Sequence, residues 1–138
     1  MRAVILAGGK GKRLLPFTKI FPKPLVPLGE KPIIDTIIRQ LKYFGFTHIT
    51  LAVGHMAEMI KTYICNGERY GIEIDYSFEE EPLGTVGPLA QITNLEQNFL
   101  VMNADLITNL NYSEIVAFHE QKGLLLRLVR FRKILKLI

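Results

Sequence analysis

Three short stretches of this chain combine residue types and spacings suited to phosphate chemistry. Leu6-Ala7-Gly8-Gly9-Lys10-Gly11-Lys12-Arg13-Leu14 runs from an apolar segment into three near-contiguous glycines and then into cations. Glycine lets backbone N–H groups converge on an anion with no Cβ in the way, and the cations neutralise its charge. Pro22-Lys23-Pro24-Leu25 places a lysine on backbone stiffened from both sides. Asp105 follows the apolar run 99–102 and is a hard oxygen ligand for a divalent cation such as Mg2+. A nucleotide or a sugar phosphate is the ligand this combination suits.

The common phosphate loops do not fit. A dinucleotide fingerprint would need glycine at position 14, where Leu14 stands; a Walker A loop would need glycine at position 6 and a hydroxyl at 13, where Leu6 and Arg13 stand. What remains is G-x-G-x-R-L-x-P-x-T, on Gly9, Gly11, Arg13, Leu14, Pro16 and Thr18, followed by P-K-P-L-x-P from Pro22 to Pro27. At these residues the chain resembles the sugar-1-phosphate nucleotidylyltransferases. The likeness continues through Gly29-Glu30-Lys31-Pro32-Ile33-Ile34, through Glu80-Glu81-Pro82-Leu83-Gly84-Thr85-Val86-Gly87-Pro88-Leu89, and from Leu100 to Asp105 and His119. The Glu-Glu-Pro-Leu-Gly-Thr wording looks most like the mannose-1-phosphate guanylyltransferase branch.

The resemblance implies a reaction, a cofactor and a set of roles. A sugar 1-phosphate attacks the α-phosphorus of a nucleoside triphosphate, GTP being favoured, and pyrophosphate leaves. The sugar phosphate is itself the nucleophile, so the protein has to align two anions and neutralise charge. By resemblance Arg13 and Lys23 are the catalytic cations. Leu6, Ala7, Gly8, Gly9, Gly11, Lys12, Glu79, Gly84 and Thr85 bind the nucleotide, with Glu79 near the base edge. Asp105 is one Mg2+ ligand; in the family a second comes from a distant aspartate with no match here. Two departures stand inside the motifs: Lys12 where the family has a small hydroxyl residue, and Ala104 where it has glycine before the aspartate. Read without the family, Arg13 and Lys23 are surface cations, Asp105 a turn residue and 84–87 a tight turn. A non-catalytic nucleotide-binding module or partner subunit is the alternative function.

The elements that position these groups follow from periodicity. Strands are expected at 3–7, 48–53, 72–77 and 99–102. Helices are expected at 33–44, with Pro32 near its start and Gly45 past its end, at 56–64, at 86–92 and at 115–121 after Ser113 and Glu114. Strand and helix alternate, which predicts an α/β fold: a Rossmann-like three-layer α/β/α sandwich with a mostly parallel sheet covered on both faces. The resemblance names it the nucleotide-diphospho-sugar transferase fold, truncated.

Of the 17 Lys and Arg, Arg127, Arg130, Arg132, Lys133 and Lys136 lie in the last 15 residues; the first 123 hold the other 12 and all 13 acids, a net charge of −1. The pI of 9.3 is therefore a property of the tail. This speaks against nucleic acid as a partner, and no apolar window is long enough for a membrane. Cys65 stands alone, and His48, His55 and His119 have no ligand spacing with it or with one another. A cytoplasmic protein is expected. Residues 1–123 read as the nucleotide-binding domain. The segment 124–138 reads as an atypical basic-apolar tail, either out of frame or an edge strand with a short basic helix. An apolar sheet edge left uncovered predicts a homo-oligomer.

Overall fold

The apolar run behind the glycines forms β1 (Arg2–Ala7), buried nearly throughout. Beyond the glycine loop come two short 3₁₀ turns, Phe17–Lys19 and Lys23–Leu25. A small antiparallel pair follows, β2 (Pro27–Leu28) and β3 (Lys31–Pro32), then α1 (Ile33–Tyr43). The chain continues through β4 (His48–Val53), α2 (Ala57–Ile64), β5 (Glu73–Phe78), a 3₁₀ turn Gly87–Gln91, β6 (Phe99–Asn103) and α3 (Tyr112–Lys122). The computed structural model describes residues 1–9, 11, 17–81, 83–84, 86–123 and 125–126. The 124–138 tail lies almost wholly outside that set.

The main sheet has the order β5-β4-β1-β6, and each neighbouring pair is parallel. From β1 the chain winds outward to β4 and β5, then returns to place β6 on the other side of β1. The strand order therefore reverses between β1 and β6. In open α/β sheets the crevice at such a reversal, beyond the carboxyl ends of the strands, is where ligands bind.

Strand alternation sends Ala3, Ile5 and Ala7, with Ile49, Leu51, Val53 and Ile74, into one core. Ile34, Ile37, Ile38 and Leu41 of α1 and Ile60 and Ile64 of α2 close over it. Their helical spacing is the amphipathic stripe the sequence predicts. Pro32 occupies the cap position of α1, and Gly45 past its end takes φ +84°. The side chain of Asn111 accepts hydrogen bonds from the N–H groups of Ser113 (3.1 Å) and Glu114 (3.3 Å), so α3 starts at Tyr112, ahead of the expected 115.

The opposite face is built differently from expectation. The stretch 86–92 is a short 3₁₀ turn rather than an α-helix, entered through Gly87 and Pro88. On this face Arg2 is buried. Its guanidinium donates to Thr50 Oγ1 (2.9 and 2.6 Å), to Asn94 O (2.9 Å) and to Asp75 (3.1 Å), tying the returning segment to three strands. His48 Nε2 lies 3.0 Å from the same Asp75 carboxylate, a packing role and not a ligand's. β5 starts one residue later than expected because the ladder with β4 begins at the pair His48 and Glu73. No helix among the described residues is long and apolar enough to cross a membrane.

Asp35 of α1 is buried and accepts from Tyr70 Oη (2.5 Å) and Arg39 Nε (2.9 Å), with Arg69 3.5 Å away. Burial pushes its carboxyl up, but the bonds from Tyr70 and Arg39 and the charges of both arginines hold it below its ordinary value. Removing the carboxylate leaves those donors without their partner, so Asp35→Ala should cost about 2–4 kcal/mol, tempered by the half-exposed arginines. With the folded pKa depressed, the contribution is complete above about pH 4 and disappears as pH falls through the folded value. Urea midpoints of wild type and variant should therefore converge in acid; a gap that stays constant down to pH 2 would contradict this account.

Candidate active site

The reversal point holds a cavity of about 460 Å³. Leu6, Ala7, Gly8, Gly9 and Gly11 form its floor at the end of β1. Asn103, Ala104 and Asp105 form one wall at the end of β6, and Glu79 and Gly84 stand past the end of β5. Lys23, Pro24 and Pro88 complete it. Of the residues expected from sequence, the structure brings together Leu6, Ala7, Gly8, Gly9, Gly11, Lys23, Glu79, Gly84 and Asp105. Lys12, Arg13 and Thr85 lie outside the described residues.

Backbone ladders carry these residues past the strand ends. Ala104 N donates to Leu6 O (3.0 Å), one step beyond the register pair of Leu6 and Asn103, which delivers Asp105 to the mouth beside the glycine floor. Glu79 N donates to Val53 O (2.8 Å), extending β5 along β4 and bringing the Glu79 side chain over Gly8. A Cβ at Gly8 would collide with the Glu79 carboxylate. Gly8 therefore leaves room for that carboxylate on the cavity wall. Glu79 Oε2 also accepts from Leu83 N (3.4 Å) and so restrains the turn that carries Gly84.

Lys23 sits at the first position of its 3₁₀ turn, which is closed by Leu25 N donating to Pro22 O (2.9 Å) and Val26 N to Lys23 O (3.1 Å). Its ammonium pairs directly with the Asp105 carboxylate, both groups about one-third exposed. Two residues 82 positions apart thus meet at one end of the cavity.

The glycines of 84–87 have two local causes. Gly84 takes φ +78°, with nothing within 4 Å of where a Cβ would stand, so backbone conformation selects it. Gly87 instead makes room for its own loop's Leu83, at 2.5 Å from the would-be Cβ. Sequence reasoning passed over Asn103, Pro24 and Pro88 as lining residues, and Gly54, whose would-be Cβ stands 3.4 Å from Gly8 Cα. Asn103 carried a usable signal, a polar residue closing an apolar strand two positions before the aspartate.

Among the described residues no cluster of three or more His, Cys, Asp or Glu could hold a metal. Asp105 is a single carboxylate on an open cavity. That donor set fits a Mg2+ shared with phosphate oxygens, which needs only one or two protein carboxylates, and does not fit an all-protein cage.

Residues 2–132 match the model of the family described as Nucleotidyl transferase. The chain belongs to that family. The match reaches into the tail beyond Gly123. Among curated relatives of this nucleotidyl transferase chain is the mannose-1-phosphate guanylyltransferase catalytic subunit beta of Danio rerio, 41% identical over 128 residues, covering 89% of this chain and 36% of that protein. The UTP–glucose-1-phosphate uridylyltransferase of Synechocystis sp. is 35% identical over 136 residues, with 89% and 35% covered. The crystal structure of HddC from Yersinia pseudotuberculosis complexed with GMP-PN superimposes with a TM-score of 0.74 at 30% identity, covering 86% of this chain and 53% of that one. The chain thus spans about a third of the length of these curated relatives.

Proposed function

We propose that this chain forms the nucleotide-binding part of a sugar-1-phosphate nucleotidyltransferase that joins a nucleoside triphosphate, GTP favoured, to a sugar 1-phosphate and releases pyrophosphate. The observation that carries this reading is the cavity at the strand-order reversal. A glycine floor, a lysine and an aspartate meet there at one end, and a carboxylate and the Gly84 turn stand on another wall. The floor and Lys23 suit phosphates; Glu79 and Gly84 suit a base. Asp105 would hold Mg2+ against the triphosphate, and when bound that ion would supply charge neutralisation on the phosphate oxygens. Arg13, at the end of the glycine loop in sequence, would add a bidentate cation.

Calorimetry with GTP, CTP, UTP, dTTP and ATP in the presence of Mg2+ tests the site directly. At least one triphosphate should bind, and Arg13→Ala should weaken it roughly tenfold or more. Lys42→Ala on the exposed side of α1 should not. Silence with all five would remove the reading. The second reading, binding without turnover, is favoured by the cavity lining: among the described residues Asp105 is the one carboxylate at its Lys23 end. Metal-dependent exchange of labelled pyrophosphate into a nucleotide sugar separates the two: turnover supports the enzyme, and binding without exchange supports the module.

A further inference from the structure

Gly11 is held by a residue that the nucleotide reading leaves without a role. Thr18 is buried, unlike its exposed neighbour Lys19 on the same 3₁₀ turn. Its hydroxyl donates to Gly11 O at 2.9 Å across seven positions of sequence. Its methyl also packs against the glycine: a Cβ built on Gly11 would lie 2.7 Å from Thr18 Cγ2 and 3.4 Å from Lys23 Cβ. Gly11 adopts φ +59°, a conformation other residues take reluctantly. The glycine is therefore gripped between Thr18 and the Lys23 turn, and its carbonyl is bound from the Thr18 side.

The consequence concerns the cavity floor, of which Gly11 is a part. Fixing the Gly11 backbone through its carbonyl and its α-carbon removes conformational freedom from it before a ligand arrives. A floor meant to meet a phosphate benefits from that restriction, since a small misplacement costs much of its effect.

We propose that Thr18 is a positioning residue. Its hydroxyl and methyl together clamp Gly11, so that the floor of the cavity is set for the phosphates. The proposal rests on the nucleotide reading of this cavity and adds to it a residue that touches no substrate.

The test pairs two substitutions with two ligands. Thr18→Val keeps the shape and removes the hydroxyl; Thr18→Ser keeps the hydroxyl. Thr18→Val should weaken GTP binding about tenfold, as expected for a lost buried hydrogen bond, and leave GMP within about twofold. Thr18→Ser should return GTP affinity to within about threefold of wild type. If Thr18→Val does not fold, Thr18→Ser against Thr18→Ala makes the same comparison at smaller volume. Equal losses for GTP and GMP, or a serine variant as impaired as the one lacking the hydroxyl, would overturn the positioning role and leave the nucleotide site standing. A wild-type chain that binds no triphosphate would overturn the site reading, and this role with it.

Discussion

On the proposed reading, Asp105→Asn is expected to lower any metal-dependent pyrophosphate exchange by roughly a hundredfold or more, the several kcal/mol that a phosphate-bound cation contributes. The argument is local. Asp105 is the carboxylate that the β6 ladder carries to the cavity mouth, and an amide oxygen in its place is a poor ligand for a hard cation. The substitution also removes the partner of Lys23, so two effects have to be told apart.

They separate because a metal ion held as proposed would compete with Lys23 for the Asp105 carboxylate. With no ligand bound, the Lys23 ammonium neutralises Asp105. A divalent cation held by Asp105 would displace it and leave the ammonium for phosphate. Lys23→Gln should therefore tighten binding of Mn2+ alone by about fivefold, near the 1 kcal/mol of a partly exposed pair, while weakening GTP. Asp105→Asn should weaken Mn2+ alone. Paramagnetic resonance of free Mn2+ during titration reads both. A Lys23→Gln chain that binds Mn2+ more weakly than wild type would show that the pair does not guard a metal position.

The pairing of Lys23 with Asp105 was invisible in the sequence, although each residue stands in a local pattern there. The glycine loop, the Pro-Lys-Pro turn and an aspartate after an apolar strand are local patterns, and Gly8, Gly9, Gly11, Lys23 and Asp105 line one cavity. The strands were legible as well, because β1, β4 and β6 are apolar runs flanked by glycine or polar residues. Their order in space is not a local property, yet it decides everything at the site. It brings Lys23 to Asp105 and folds Glu79 over Gly8. The short turn at Gly87–Gln91 escaped for another reason. Its apolar residues fit a helical period, but the segment is too short and too rich in Gly and Pro to close α-helical turns. Arg2 escaped because its partners Thr50, Asp75 and Asn94 lie 48, 73 and 92 positions away. No pattern near residue 2 could announce a buried arginine.

On the proposed GTP-binding reading, Glu79→Gln is expected to shift the preference among bases away from GTP and toward UTP. A carboxylate only accepts hydrogen bonds, and the pairing edge of guanine offers two adjacent donors, N1–H and the 2-amino group. The corresponding edge of uracil or thymine presents one donor between two carbonyls, which a carboxylate repels. Glu79 already spends Oε2 on Leu83 N–H, and Oε1 is the atom nearest the position a Gly8 Cβ would take. A glutamine can keep the first contact through its own oxygen, so the turn carrying Gly84 stays in place. Its amide NH₂ then replaces Oε1. Facing guanine, donor meets donor; facing uracil, it can donate to a carbonyl. Losing charge-assisted hydrogen bonds worth about 1.5–3 kcal/mol should cost GTP roughly ten- to a hundredfold in affinity. UTP should gain, so the ratio of the two should fall by more than either change alone. Competition calorimetry on the same preparation measures that ratio free of errors in active fraction. An unchanged ratio, with Leu83 and Gly84 still ordered by amide exchange, would mean that Glu79 holds the turn and does not read the base.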